Sequence, residues 1–343
     1  MTGYTLGLFA NMYPAFEGDY RGIFIRQMVR DLELRGISVR KAVKTTSSPL
    51  GYFPFYYESL RLSRSGELDL MQAEYIPHSS LVPALFGRRD VPLILKFHGD
   101  DARIYPFKNG LYHRITKAMI RRADYIIAGS EEMRRILIRL GATIERSAVV
   151  HTGVDTAFFT PGSREESRRV LGLSMDETVF LFVGRLHPWK GINEILDAAK
   201  SSRDSRFVFV GPGTIPDHPG NCQFTGMKSA EEIRTWMQAS DCLLLPTYTE
   251  SVPAVVMEAS ACGIPSITSD VGGCPEIIED GKNGLIVPVR DTQRLLEALT
   301  WMKEHPDARQ RMGDEARSIV CSSYDHNCLT DKLISIHTSL LPR

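Results

Sequence analysis

Val179-Phe180-Leu181-Phe182-Val183-Gly184-Arg185-Leu186-His187-Pro188-Trp189-Lys190-Gly191-Ile192 reads as an apolar strand, a glycine-bounded loop and the start of a helix. Five consecutive apolar residues suit a strand buried on both faces, the habit of parallel sheets. The same unit recurs outward in both directions. Toward the C-terminus, Phe207 to Val210, Cys242 to Leu245, Ser266 to Thr268 and Leu285 to Val287 read as strands, with helices near 192–200, 230–239 and 253–262. Toward the N-terminus, strands are expected at 4–10, 37–43, 69–73, 91–97, 124–128 and 147–150. A helix from Ile23 to Leu34 is closed by Gly36, and one from Glu131 to Leu140 begins with acids and stops before Gly141. Alternation of this kind predicts an α/β chain with two doubly wound parallel sheets. Thr160-Pro161-Gly162 is the linker, dividing an N-terminal domain (1–158) from a C-terminal one (159–319). The helical pattern from about Ala316 to Leu340 has no strand to pair with, so the C-terminal helix, about 320–343, is expected to pack back on the first domain.

The 343 residues, 43% of them apolar, suffice for two ordinary cores. With 41 basic and 41 acidic side chains there is no global charge to attract nucleic acid. The balance hides an asymmetry, because residues 1–155 carry 22 Lys/Arg against 16 Asp/Glu and the remainder 19 against 25. The first half is the one expected near an anionic surface. Six cysteines, all in the second half, lack metal-ligand spacing and read as reduced thiols of a cytoplasmic protein. Thr5 to Ala10 reads as a first strand, not a signal peptide, and no stretch of about 18 apolar residues predicts a membrane span.

In doubly wound sheets ligands bind beyond the carboxyl ends of the strands. After the 179–183 strand, the guanidinium of Arg185, the mobile ammonium of Lys190 and the following helix N-terminus form a receptor suited to a diphosphate. A solvated basic turn is the plain alternative. After the 242–245 strand comes Pro246-Thr247-Tyr248-Thr249-Glu250-Ser251-Val252-Pro253 and a helix bearing Glu258. Two carboxylates there can accept hydrogen bonds from the vicinal hydroxyls of a ribose and a sugar. Met257, Ala259, Ala261 and Cys262 make that helix apolar nearly all round, so a carboxylate on it needs a partner.

Gly184-Arg185-x4-Lys190-Gly191, Glu250-x7-Glu258-Ala259 and Gly263-x-Pro265 together resemble the paired signature of glycosyltransferase family 4, in their order and spacing, and the resemblance extends over nearly the whole chain. It implies the GT-B fold, two Rossmann-like domains facing each other across a cleft. Carried over by position, it assigns Arg185 and Lys190 to the donor diphosphate, Glu250 to the donor sugar's hydroxyls and Glu258 to the nucleotide ribose. Gly184, Ser251, Val252, Ala254 and Val255 border phosphates and sugar, whereas Pro253 has no amide to offer. Phe224-Thr225-Gly226-Met227 resembles the loop whose backbone reads the nucleobase, with Gly226 and Met227 at the donor. His98-Gly99-Asp100 resembles the family's histidine motif, in which the ring meets the donor sugar near the scissile bond. Glu17-Gly18-Asp19-Tyr20-Arg21-Gly22 is similar to the glycine-bearing loop before the first helix, where Gly18 and Gly22 permit close approach. His151-Thr152-Gly153-Val154-Asp155 and Gly272-Gly273-x-x-Glu276 are further likenesses, the former with His-Thr where Pro-Asn is frequent, so no catalytic role attaches to it.

The resemblance implies hexose transfer from a nucleotide sugar, UDP-sugar first and GDP-mannose next, with retention at the anomeric carbon. The acceptor would be a glycan or a lipid-linked sugar, as in cell-surface polysaccharide or glycolipid synthesis. No D-x-D triad appears, so metal-independent action without a cofactor is expected. The aromatic run between Pro49 and Leu60 suits a sugar ring or a lipid interface, or else packs under a long loop. Arg103 to Arg122, basic with apolar Ile104, Leu111, Ile115, Met119 and Ile120, is either an amphipathic element against anionic lipid on the inner face of the membrane or a surface helix with its apolar face in the core. A UDP-sugar 2-epimerase of the same fold and a noncatalytic sugar-nucleotide-binding protein are the competing readings. A dinucleotide oxidoreductase is disfavoured, because no G-x-G-x-x-G joins the first strand to the first helix.

Overall fold

The computed structural model describes residues 3–16, 19 and 21–342. The chain divides into two compact units, one holding the chain up to Thr152 together with residues from Asn327 onward, the other Gly153–His326.

The N-terminal unit is built on a parallel sheet of β1 (Thr5–Ala10), β2 (Ser38–Val43), β3 (Leu70–Glu74), β4 (Leu93–Phe97), β5 (Tyr125–Ala128) and β6 (Ser147–Val149), in the order β2-β1-β3-β4-β5-β6. Alternation along β1 divides its side chains between two cores. Leu6, Leu8 and Ala10 join Ile25, Val29 and Leu32 of the first helix, while Phe9 faces Met71, Leu93 and Leu95 on the opposite side. The strand order reverses between β1 and β3, which opens a crevice at the carboxyl ends of these strands.

The second unit repeats the plan with β7 (Thr178–Val183), β8 (Ser205–Val210), β9 (Cys222–Gly226), β10 (Cys242–Leu245), β11 (Ser266–Ser269) and β12 (Gly284–Val287), all parallel, in the order β12-β11-β10-β7-β8-β9. Here the reversal lies between β7 and β10, so the two loops richest in candidate residues are neighbours.

Three features differ from the sequence expectation. Residues 224–226, expected in a loop, are the end of edge strand β9, whose register against β8 shifts between Phe209 and Val210. A single partner and a polar, half-buried Gln-Phe-Thr sequence leave such an edge strand without the apolar run that marks an inner one. The C-terminal helical pattern is two helices. Pro306–Ser323 stays with the second unit, burying Met312 and Val320, and the chain breaks at Tyr324 before His326–Leu340, which buries Leu329 and Leu333 against the first helix and β1. Arg35 at the end of the first helix ties it down through Asp331, 2.9 Å away.

The stretch from Arg103 to Arg122 is likewise no single amphipathic helix. It comprises short turns ending at Arg103, Tyr105–Lys108 and the helix Gly110–Arg122. Met119 and Ile120 lie in the core with Ile115 packed beside them, while Ile104 and Leu111 face solvent.

Candidate functional site

In the second unit every candidate residue falls beyond the carboxyl ends of the strands. Gly184, Arg185 and Lys190 follow β7; Gly226 ends β9 and Met227 follows it, exposed; Glu250, Ser251, Val252, Ala254, Val255 and Glu258 follow β10. The β7 and β10 loops are locked together by backbone. Trp189 O accepts hydrogen bonds from Tyr248 N at 2.8 Å and from Thr247 Oγ1 at 3.0 Å. Gly191 makes this approach with φ 74°, and a Cβ there would overlap the Pro246 carbonyl oxygen. Gly272 does the same from the β11 side with φ 57°, lying against the Glu250 carbonyl oxygen, while Gly273 N donates to Ser251 O at 2.9 Å. The backbone around Glu250 is therefore held from two sides.

Within this frame Lys190 Nζ pairs with Glu250 Oε2 at 2.6 Å, and Glu250 Oε1 accepts from Ser251 N at 3.0 Å. Both side chains are partly open to solvent, so a ligand can reach the pair. Arg185 is exposed and makes no hydrogen bond or ion pair among the described residues. The helix Ala254–Ala261 begins at Pro253 without a side-chain cap, which leaves first-turn amides for water or an anion. Glu258 lies one turn in, on the same face as Ala254. Burial pushes its carboxyl up to about 7, and no neighbouring cation offsets that. This raised carboxyl lies on the helix whose start is uncapped, and the loop leading into that helix carries Glu250 with its Lys190 partner. The arrangement suits a ligand with phosphates and a diol.

In the N-terminal unit Gly22 caps the first helix in a left-handed conformation, φ 67°. Asp19 accepts from Ala15 N and pairs with Arg21 at 2.8 Å, and that guanidinium holds its carboxyl well below the usual range. Gly18 lies outside the described residues. His98 follows β4 and is almost wholly enclosed. Its ring is flanked by Phe24 and Tyr75, with centroids 4.8 and 4.6 Å away, and its Nε2 bonds the Glu74 carboxylate at the end of β3. Asp101 fixes the turn that carries it, accepting from His98 N, Gly99 N and Ile76 N at 2.8–3.1 Å. Sequence reasoning missed Glu74 and Asp101. The signal for Glu74 was present, an acid closing the otherwise uncharged strand Leu-Met-Gln-Ala-Glu.

The aromatic run after Pro49 is the helix Tyr52–Ser63, in which Phe55 packs inward. Tyr52 meets Tyr56 and His78, and His78 and Tyr105 meet Tyr112, with ring centroids 5.3–6.4 Å apart. Burial chiefly raises the Tyr56 and Tyr105 phenols, with Tyr52 next at Tyr56 and Asp100 next at Tyr105. The only hydrogen bond to these hydroxyls among the described residues is a long one, 3.4 Å, from Asn11 Nδ2 to Tyr52.

Two family models divide the chain between them, glycosyltransferase family 4 over residues 3–158 and glycosyl transferases group 1 over 163–319. The chain belongs to glycosyltransferase family 4. Among family relatives, a putative teichuronic acid biosynthesis glycosyltransferase of Bacillus subtilis, TuaC, is 29% identical over 264 residues, 75% of this chain and 67% of the relative. A D-inositol 3-phosphate glycosyltransferase of Mycobacterium avium is 31% identical over 229 residues, 62% of this chain and 54% of the relative, so the match spans about half the length of that protein. Sucrose-phosphate synthase from Thermosynechococcus elongatus shares the fold with a TM-score of 0.80 at 18% identity, covering 98% of this chain and 99% of that one. HepE from Anabaena, solved with UDP, gives 0.77 at 19% identity over 98% and 100%. The two parallel six-stranded sheets are thus the GT-B pair of Rossmann-like domains.

Proposed function

We propose that this family 4 member is a retaining hexosyltransferase that uses a nucleotide diphosphate sugar, UDP-sugar first and GDP-mannose second, and works without a metal ion. The Lys190–Glu250 pair beside the uncapped helix start carries the reading, because it sets one cation and one carboxylate where a phosphate and a sugar hydroxyl can replace each partner for the other. HepE, of the same fold, binds UDP and UDP-glucose. On donor binding Lys190 exchanges Glu250 for the diphosphate, Arg185 folds onto it, and Glu250 accepts from the sugar hydroxyls. Glu258, once ionised, accepts from the ribose diol.

The acceptor hydroxyl oxygen forms the new bond to the anomeric carbon on the face the diphosphate leaves. The carbon–oxygen bond to the diphosphate breaks with its electron pair, and the acceptor's proton passes to a phosphate oxygen. The protein's part is position and charge: Arg185, Lys190 and the helix amides stabilise the diphosphate as negative charge grows there. His98 is assigned to the reacting sugar. The aromatic faces and hydroxyls of Tyr52, Tyr56, Tyr105 and Tyr112, which among the described residues take up only the one long bond from Asn11, suit a polyhydroxylated acceptor, a glycan or the sugar of a lipid-linked intermediate.

The test is a thermal-shift panel of UDP-, GDP- and ADP-sugars and their diphosphates, with and without EDTA, on the wild type and Arg185→Ala. Stabilisation by one base that survives EDTA and disappears in the variant supports the reading. No shift with any nucleotide, or a shift abolished by EDTA, overturns the donor site or its metal independence respectively.

A further inference from the structure

Five side chains from four separate segments of the chain form a continuous hydrogen-bonded chain through the interior of the N-terminal unit. His98 Nε2 meets one oxygen of Glu74, and Gln72 Nε2 donates to the other. Gln72 Oε1 lies 2.7 Å from His337 Nε2, on the C-terminal helix, and His337 Nδ1 lies 2.6 Å from the Tyr4 hydroxyl. Gln72, Glu74 and His337 are wholly inaccessible to solvent. Glu74 and Gln72 are two apart on β3 and so share a face, while 265 residues separate Gln72 from His337.

The direction of every bond in this chain follows from its members. Burial alone would raise the Glu74 carboxyl, but Lys96 and the bonds from His98 and Gln72 outweigh it and hold the group below its ordinary value, as the anion. An anion only accepts, so Gln72 turns its amide N–H toward Glu74 and its carbonyl toward His337. Burial drives His337 down to about 3, so that ring is neutral and carries a single proton. The Gln72 carbonyl requires that proton on Nε2, and bare Nδ1 then accepts from Tyr4 O–H. At the other end the carboxylate requires a proton on Nε2 of His98. No donor faces a donor anywhere along the chain, and reversing one bond would leave a buried group unpaired.

We propose that Glu74 is the positioning residue for His98, keeping the ring's Nε2 proton turned into the sheet, and that the C-terminal helix completes this device by supplying His337. A segment remote in sequence is thereby part of the apparatus that orients His98. The consequence for turnover rests on the assignment of His98 to the reacting sugar; the placement of the proton does not.

Long-range proton–nitrogen spectra of the full-length protein labelled with 15N-histidine test this, with His98→Gln and His337→Phe used to assign the two rings. The expected spectrum shows a proton on Nε2 of His98 and a neutral, Nε2-protonated His337. Glu74→Gln shifts the His98 nitrogens and leaves exposed His305 unmoved, and His337→Phe shifts the His98 Nε2 signal as well. In turnover of the donor selected by the thermal-shift panel, Glu74→Gln lowers kcat about tenfold with little change in donor KM. A bare Nε2 on His98 or on His337 in the wild type overturns the proposal without recourse to any variant. So does a Glu74→Gln protein with an unaltered His98 spectrum. Should the wild type turn over no nucleotide sugar, the transfer reading fails while the spectrum still decides the hydrogen-bond chain.

Discussion

Glu258→Gln should stabilise this protein and weaken its ligand binding at the same time, in a manner that depends on pH. In the fold the Glu258 carboxyl is pushed from 4.5 up to about 7 by burial. Ionising it there costs about 3 kcal/mol more than in the unfolded chain, at roughly 1.4 kcal/mol for each pH unit of difference. The sign follows from the raised value. Below about pH 4.5 both states hold the proton and there is no penalty; stability falls as pH rises through 7, and above that the full penalty stands. A glutamine of the same shape never ionises, so the variant exceeds the wild type by less than about 1 kcal/mol at pH 5 and by about 3 kcal/mol at pH 8, a rise in Tm of several degrees for units of this size. With nucleoside diphosphate present the order should reverse, because under the proposed function the ribose diol gains an ionised acceptor only in the wild type. Scanning calorimetry of both proteins at pH 5 and pH 8, with and without the nucleotide, measures all four quantities. A Tm difference that is the same at the two pH values, or a variant less stable than the wild type at pH 8 without ligand, refutes the account of Glu258.

Two further outcomes are expected. Gly272→Ala puts a Cβ on the Glu250 carbonyl oxygen and a side chain at φ 57°, so the loop must shift; stability should fall by about 1–3 kcal/mol and nucleotide-induced stabilisation should be lost, whereas Gly281→Ala, with open space and φ 76°, should keep that stabilisation. Vesicle co-sedimentation should show binding to anionic phosphatidylglycerol membranes that depends on the exposed Phe107 and Leu111 beside Lys108 and Arg114, and the double change to serine should reduce the bound fraction; equal sedimentation of both proteins would remove membrane contact from the reading.

Much of the architecture was legible because parallel strands buried on both faces leave an unmistakable apolar run. The runs ending at Ala10, Phe97, Val183 and Leu245 each end a strand of the structure, and the loops that follow hold the candidate residues. Edge strand β9 escaped notice, since one neighbour and partial exposure permit Gln and Thr in it. The tail was seen as helical, but its division at Tyr324 was not, because neither helix half carries proline or glycine at the break.

The sequence by itself determined the repeated strand–loop–helix plan and the residue types available at each strand end, since periodicity and glycine placement act over a few neighbouring residues. Only the tertiary structure decided which of those groups are partners. Lys190 and Glu250 are 60 residues apart and meet because β7 and β10 are adjacent where the strand order reverses. Glu74 and His98 meet because β3 and β4 pair, and His337 reaches Gln72 because the last helix buries Leu329 and Leu333 in the same apolar cluster as Leu6, Leu8 and Ile25. Burial, which sets the charge on Glu258, Glu74 and His337, is a property of everything packed around a side chain and is written at no single position.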